Sequence, residues 1–137
     1  MPLSEPFIKR IVLPFGFDGN YTTNSPTFAM ARFNICIGDI EDYFDGASSI
    51  SCSLCADVKC DGGSTGELAL VSINNLGVAS VIAGSETPIT NTTYTPLQTA
   101  LFSINPNTTF RVVIRKTSGI NPLVVYIRAA QLILTFE

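Results

Sequence analysis

Between Ser49 and Val58, Ile50, Cys52, Leu54, Ala56 and Val58 alternate with Ser51, Ser53, Cys55 and Asp57. A period of two sends successive side chains to opposite faces, so the segment predicts a half-buried antiparallel strand with its apolar set turned inward. Other apolar segments of strand length run Phe7 to Phe15, Thr27 to Ile37, Glu67 to Asn74, Val78 to Ala83, Leu97 to Ile104, Phe110 to Lys116 and Leu123 to Phe136. That makes about eight strands, with no stretch of helical period between them. Glu67-Leu-Ala-Leu-Val-Ser-Ile is apolar on both faces, which predicts a strand in the middle of a sheet.

The turns fit this reading. Asn74-Asn75-Leu76-Gly77, Asn105-Pro106-Asn107 and Ser118-Gly119-Ile120-Asn121-Pro122 hold residues that tolerate positive φ or preset a bend, so each predicts a hairpin. Gly84 to Pro96 has no long apolar run and predicts a crossing between sheets. Short strands, hairpins and a crossover make a single-domain, all-β antiparallel β-sandwich spanning residues 1–137, and within that class a jelly-roll-like order is expected. The first fifteen residues, with Pro2 and Pro6, form a candidate N-terminal connector: Phe7, Ile8, Ile11, Val12 and Leu13 could add as a strand to a neighbouring copy's open edge. The alternative is that this strand pairs within its own sheet.

Composition changes the picture at the surface. Only 14% of residues are charged, against roughly a quarter in an average soluble domain. Twelve Ser, fourteen Thr and nine Asn stand where Lys and Glu usually do, so copies of the chain repel one another weakly. The charge is also uneven along the chain: Asp39 to Glu67 carries a net −6, and Thr87 to Glu137 a net +3. Two patches of opposite sign could orient head-to-tail contacts. Scattered Lys and Arg give no stripe for phosphates, so nucleic acid is not an expected partner. The longest uninterrupted apolar stretch, Leu123 to Ile127, is far short of the roughly twenty residues that span a bilayer, so membrane insertion is not expected either. MPLSEPFIKR shows no secretory signal, which points to assembly inside a cell or to a trimmed chain.

The chain has no histidine, which removes the commonest general base and the usual partner of a Ser or Cys nucleophile. No acid, base and nucleophile come together in the sequence, and the expectation is a non-enzymatic protein without a cofactor. Asp39, Glu41, Asp42 and Asp45 form an acidic loop that reads first as a solvated loop and second as a site for a hard cation such as calcium. Four cysteines occur, and Cys52-x-x-Cys55 has the spacing of a zinc or redox pair. In a strand, however, those two point to opposite faces. That leaves a disulfide among Cys36, Cys55 and Cys60, free buried thiols, or a metal site, and intermolecular disulfides for an assembling protein. Three glycosylation triplets begin at Asn20, Asn91 and Asn107, as chance allows in so Thr-rich a chain. With no tryptophan, a sugar-stacking surface would rest on Tyr21, Tyr43 and Tyr94 in loops, while Tyr126 and most Phe, among them Phe28, Phe33, Phe102, Phe110 and Phe136, read as strand and core residues.

The order Gly84-Ser-Glu-Thr, Thr93-Tyr-Thr-Pro-Leu, Phe110-Arg-Val-Val-Ile-Arg and Tyr126-Ile-Arg-Ala-Ala-Gln-Leu-Ile-Leu resembles the closing strands of jelly-roll modules. Such modules occur in virion decoration and fibre proteins, spore-coat and appendage subunits, and some carbohydrate-binding modules. The resemblance implies a fold and transfers no site residue, and the segment from Asp39 to Asp61 has no counterpart in it. It implies a self-assembling structural subunit of a virion or of an extracellular or spore-surface appendage, whose partners are other copies of itself. The alternative is a carbohydrate-binding module using the loop tyrosines, with calcium at the acidic loop.

Overall fold

Ile50, Cys52, Leu54, Ala56 and Val58 are all buried in the structure, so the period-two segment is the strand its pattern predicts. The computed structural model describes residues 9–15, 20–39 and 49–137, with side chains at 30–33 left aside. Eleven strands lie in these residues: β1 (Lys9–Phe15), β2 (Tyr21–Thr23), β3 (Ala29–Ile37), β4 (Ile50–Cys60), β5 (Thr65–Ile73), β6 (Ala79–Val81), β7 (Thr87–Ile89), β8 (Thr95–Gln98), β9 (Phe102–Ser103), β10 (Thr108–Ser118) and β11 (Val125–Phe136). They form two antiparallel sheets, a six-stranded one ordered β1-β11-β4-β8 and a five-stranded one ordered β3-β10-β5-β6.

The difference from about eight strands comes from interrupted edges. β1 and β2 lie end to end along one edge of β11, β8 and β9 along one edge of β4, and β6 and β7 along one edge of β5. Joining each pair leaves eight strands in two sheets of four, in the orders 1-8-3-6 and 2-7-4-5, which is a jelly roll. Thr99 makes one of the breaks: its hydroxyl accepts the Leu54 N–H at 2.9 Å, and its own N–H donates to the Leu54 carbonyl at 2.9 Å.

Two of the expected hairpins turn out to be crossings. The Asn74–Gly77 turn does join neighbours, β5 and β6, with Gly77 at φ 80°. By contrast, Asn105-Pro106-Asn107 carries the chain from β9 in the first sheet to β10 in the second, and Ser118 to Pro122 carries it back to β11. A turn residue fixes a local bend but not which sheet receives the next strand. Gly84 to Pro96 crosses between sheets as expected, after contributing β7 to the second.

The core between the sheets is built from Leu54, Leu68, Leu70, Phe110, Ile114, Ile127, Leu132, Leu134 and Phe136, among others. β5 is interior, as its pattern predicts: Leu68 and Leu70 enter this core, whereas Ala69 and Val71 join Val113 in a second cluster on the outward face, packed against Phe28 and Ala79. Phe28 is therefore not a residue of the main core, and Arg115 lies 4.5 Å over its ring. At one end the sheets approach closely, for a Cβ added to Gly66 would fall 2.7 Å from Val125 Cγ2 and 2.8 Å from the Arg115 carbonyl oxygen. Gly66→Ala is therefore expected to lower stability by about 1–3 kcal/mol in urea unfolding, as overpacked cores do. Gly62→Ala, where a Cβ meets nothing within 4 Å, is the matched control and is expected to be neutral.

Candidate functional site

The outward face of the first sheet gathers most of the chemistry that the sequence spreads over a hundred residues. Register fixes its rows, read from β1 toward β8 and β9. They are Arg10, Thr135, Ser51 and Ser103; Val12, Ile133 and Ser53; Pro14, Gln131, Cys55 and Gln98; Ala129, Asp57 and Pro96; and Thr22, Tyr126 and Lys59. The second and third rows carry no charge. Ser53 faces outward yet is buried, because Gln98 Nε2 donates to its hydroxyl at 3.1 Å. Val12 in the second row and Leu101 beside it have 50% and 61% of their surface exposed.

Charge is concentrated at the far end, around two tyrosines. A bulge in β11 between Ile127 and Ala129 turns out the extra residue, Arg128, whose Nε donates to Asp57 Oδ2 at 2.5 Å. Arg128 lies 4.1 Å over the Tyr94 ring, and Lys59 lies 4.9 Å over Tyr94 and 4.5 Å over Tyr126. The two rings meet edge to face, 6.3 Å apart. Asp57 Oδ1 and the Tyr94 hydroxyl are buried without a hydrogen-bond partner among the described residues. Burial pushes the Tyr94 hydroxyl up, opposed by Arg128.

Asp61 anchors this end. Its Oδ2 accepts the Val124 N–H at 2.9 Å, and its Oδ1 accepts the Tyr126 hydroxyl at 3.0 Å. These two bonds hold the Asp61 carboxyl below the usual carboxylate range, and the same bond raises the Tyr126 hydroxyl.

The remaining candidate residues are dispersed. Tyr21 pairs with buried Ile127 and packs on the core, so it faces away from Tyr94, and Tyr43 lies outside the described residues. Tyr126 lies in a strand, β11, as expected, and points outward. Ile11 and Leu13 pack on the core while Val12 faces out, and β1 pairs along its length with β11; Phe7 and Ile8 lie outside the described residues. Of the acidic loop, Glu41, Asp42 and Asp45 also lie outside them. Asp39 accepts a hydrogen bond from the Asn107 amide, and no group of three metal-ligating side chains occurs among the described residues. Asn91, at a glycosylation triplet, donates to the Val58 carbonyl at 2.6 Å and the Thr93 carbonyl at 2.9 Å.

The disulfide expectation is corrected, because all four cysteines are free. Cys36 is exposed on β3 in the second sheet, Cys55 faces outward from β4 in the first, and Cys60 is buried with its thiol donating to the Ser64 carbonyl at 3.2 Å. Strand geometry keeps them apart. Cys52 points into the core, as the alternation predicts, and burial pushes its thiol up to about 12.

Among the described residues, two acids and two bases that are far apart along the chain meet in the fold. β4 pairs with β11 and β5 with β10, so Asp57 meets Arg128 and Glu67 meets Arg115, the latter at 2.6 Å. Lys116 lies in the inward row of β10 and is buried; its ammonium donates to the Ile120 carbonyl, Asn121 Oδ1 and the Leu123 carbonyl at 3.0–3.3 Å.

No family model and no curated protein matches this chain. Among solved structures it is similar to the one titled "Structure of Eiger TNF from S. frugiperda". The TM-score is 0.50 and the identity 10%, over 93% of this chain and 92% of that one. The likeness is one of fold.

Two outcomes follow from these placements. A thiol reagent applied to the native protein is expected to label Cys36 fast and Cys55 slowly, with Cys52 and Cys60 reacting only on unfolding; Cys36→Ser should remove the fast phase. Because the folded-state pKa of Asp61 is lowered, its contribution is present above the ordinary carboxylate pKa and lost as pH falls through the depressed one. Asp61→Asn should therefore lower the urea midpoint near neutral pH, with the gap from wild type closing in acid.

Proposed function

We propose that this jelly roll is a non-enzymatic structural subunit that assembles with copies of itself, on a virion or an extracellular or spore-surface appendage. The observation that carries the reading is the outward face of the first sheet. Its second and third rows are uncharged, and the apolar Val12 in the second row and Leu101 beside it are exposed. Such a face allows a second copy to approach closely without stripping charges of water. The pairing of Asp57 with Arg128 and of Glu67 with Arg115 leaves less free charge to repel that copy.

Sheet edges extend the same contact. β1 pairs with β11 on one side, and no described strand pairs with its other side. Lys9, Arg10 and Pro14 along this edge select against unlimited strand addition, so face packing, with the edge as a border, fits better than donation of the β1 strand. The lack of histidine and the raised thiols of Cys52, Cys55 and Cys60 agree with a non-catalytic role.

Sedimentation velocity and negative-stain microscopy of the purified chain test this. Wild type is expected to form oligomers or a lattice. Val12→Arg combined with Ala129→Arg should give monomers while leaving folding stability within about 0.5 kcal/mol, as exposed substitutions usually do. A wild type that stays monomeric at high concentration, or a variant that assembles unchanged, removes the proposal.

A further inference from the structure

At the opposite end of the sandwich from Asp61 and the tyrosines, the β5–β6 hairpin and the β9–β10 crossing leave a recess of about 360 Å³ between them. This is within the range of roughly 300–1,000 Å³ over which proteins hold small molecules. None of its lining residues is charged. Ile73, Ile82, Ile104 and Phe110 supply an apolar wall, and asparagines, serines and a threonine form the rest.

The polar groups have capacity to spare. Asn74 Oδ1 accepts the Leu76 and Val78 N–H groups at 2.9 Å each, which fixes the amide and leaves its NH₂ as a donor. The Asn107 NH₂ donates to Asp39, which leaves its oxygen as an acceptor, and its backbone is held at φ 56° with its N–H on the Gly38 carbonyl at 3.0 Å. The side chains of Asn75, Ser103 and Asn105 make no hydrogen bond to another described residue. An amide offers both a donor and an acceptor, and a serine hydroxyl does the same. The recess therefore presents uncharged donors and acceptors, two of them oriented by bonds within the protein, around an apolar wall.

We infer that this recess is a binding site for an uncharged polyhydroxylated ligand, a neutral sugar unit. Each sugar hydroxyl both donates and accepts, which matches the amides and hydroxyls. The C–H face of the ring matches the isoleucines. An anionic ligand would lose hydration there without gaining a countercharge from the lining, and would approach the Asp39 carboxylate bonded to Asn107. This site is distinct in place and in residue type from a tyrosine platform, and it does not depend on whether the chain assembles.

Saturation-transfer NMR of the full chain with D-glucose, D-mannose and N-acetyl-D-glucosamine tests it, with D-glucuronate and inorganic phosphate as charged probes. At least one neutral sugar is expected to receive saturation and to shift the side-chain amide signals of Asn75 and Asn105. Asn105→Ala and Ser103→Ala, both at exposed positions, should each weaken that binding by roughly tenfold, about the effect of losing one well-made hydrogen-bond pair. Tyr94→Ala should leave it unchanged. If either recess variant fails to fold, the wild-type shift map decides the question alone. No transfer from any of the three neutral sugars, shifts confined to the tyrosine end, or a preference for glucuronate or phosphate would each overturn the assignment.

Discussion

The pairing of β4 with β11 is the constraint on which the other features rest. It runs from Ile50 opposite Phe136 to Cys60 opposite Val125, so a segment from the first half of the chain lies beside its last strand. Closing so long a loop costs conformational entropy that grows only slowly with length, and a long ladder with buried residues on one face can offset it. Once these strands are the centre of the first sheet, β1 and β2 can pair only on the free side of β11, and β8 and β9 only on the free side of β4. The second sheet repeats the arrangement, with β10 and β5 at its centre.

The same pairing decides the electrostatics. Acids clustered in the middle of the sequence and bases clustered near its end look like two poles when read along the chain. In the fold two of these acids, Asp57 and Glu67, lie across strands from Arg128 and Arg115, and opposite charges in that relation stabilise a sheet by about 0.2–1 kcal/mol per pair. Asp61 and Lys116 then close one end of the sandwich from two directions. The carboxylate ties the β4–β5 turn to the start of β11, and the ammonium, buried with three acceptors, holds the chain between β10 and β11. At the other end the turns are completed by amides, Asn74 accepting two N–H groups of its own turn and Asn107 donating to the Asp39 carboxylate.

What could be read in advance follows from what a sequence encodes locally. Alternation along Ile50 to Val58 and the doubly apolar Leu68 to Val71 gave the right strands and the right depth, since each depends only on neighbours two residues away. Sheet membership was not legible at Asn105–Asn107 or Ser118–Pro122. Those residues specify a bend, whereas the receiving sheet depends on strands up to a hundred residues distant. That Tyr126 faces outward and that Phe28 packs off the main core was not legible for a related reason. Which way a side chain points from a strand depends on register, and a single bulge at Arg128 or a strand reaching past the core reverses it. The tyrosine cluster had one signal that could have found it: Lys59 lies on the polar phase of an otherwise apolar strand.

A surface poor in charge and rich in Ser, Thr and Asn takes two unlike forms in one fold. On the flat face of the first sheet, neutral side chains are short or pinned, as Ser53 is by Gln98, and what remains is a surface suited to close packing against another surface of the same kind. At the hairpin end, asparagines line a concave space, and Asn74 and Asn107 have one side of the amide already committed, which leaves the other side able to hydrogen-bond. The chemistry is the same in both places. The difference is curvature, since a flat array of neutral groups is satisfied by a matching flat partner and a concave one by a small molecule able to return several hydrogen bonds at once.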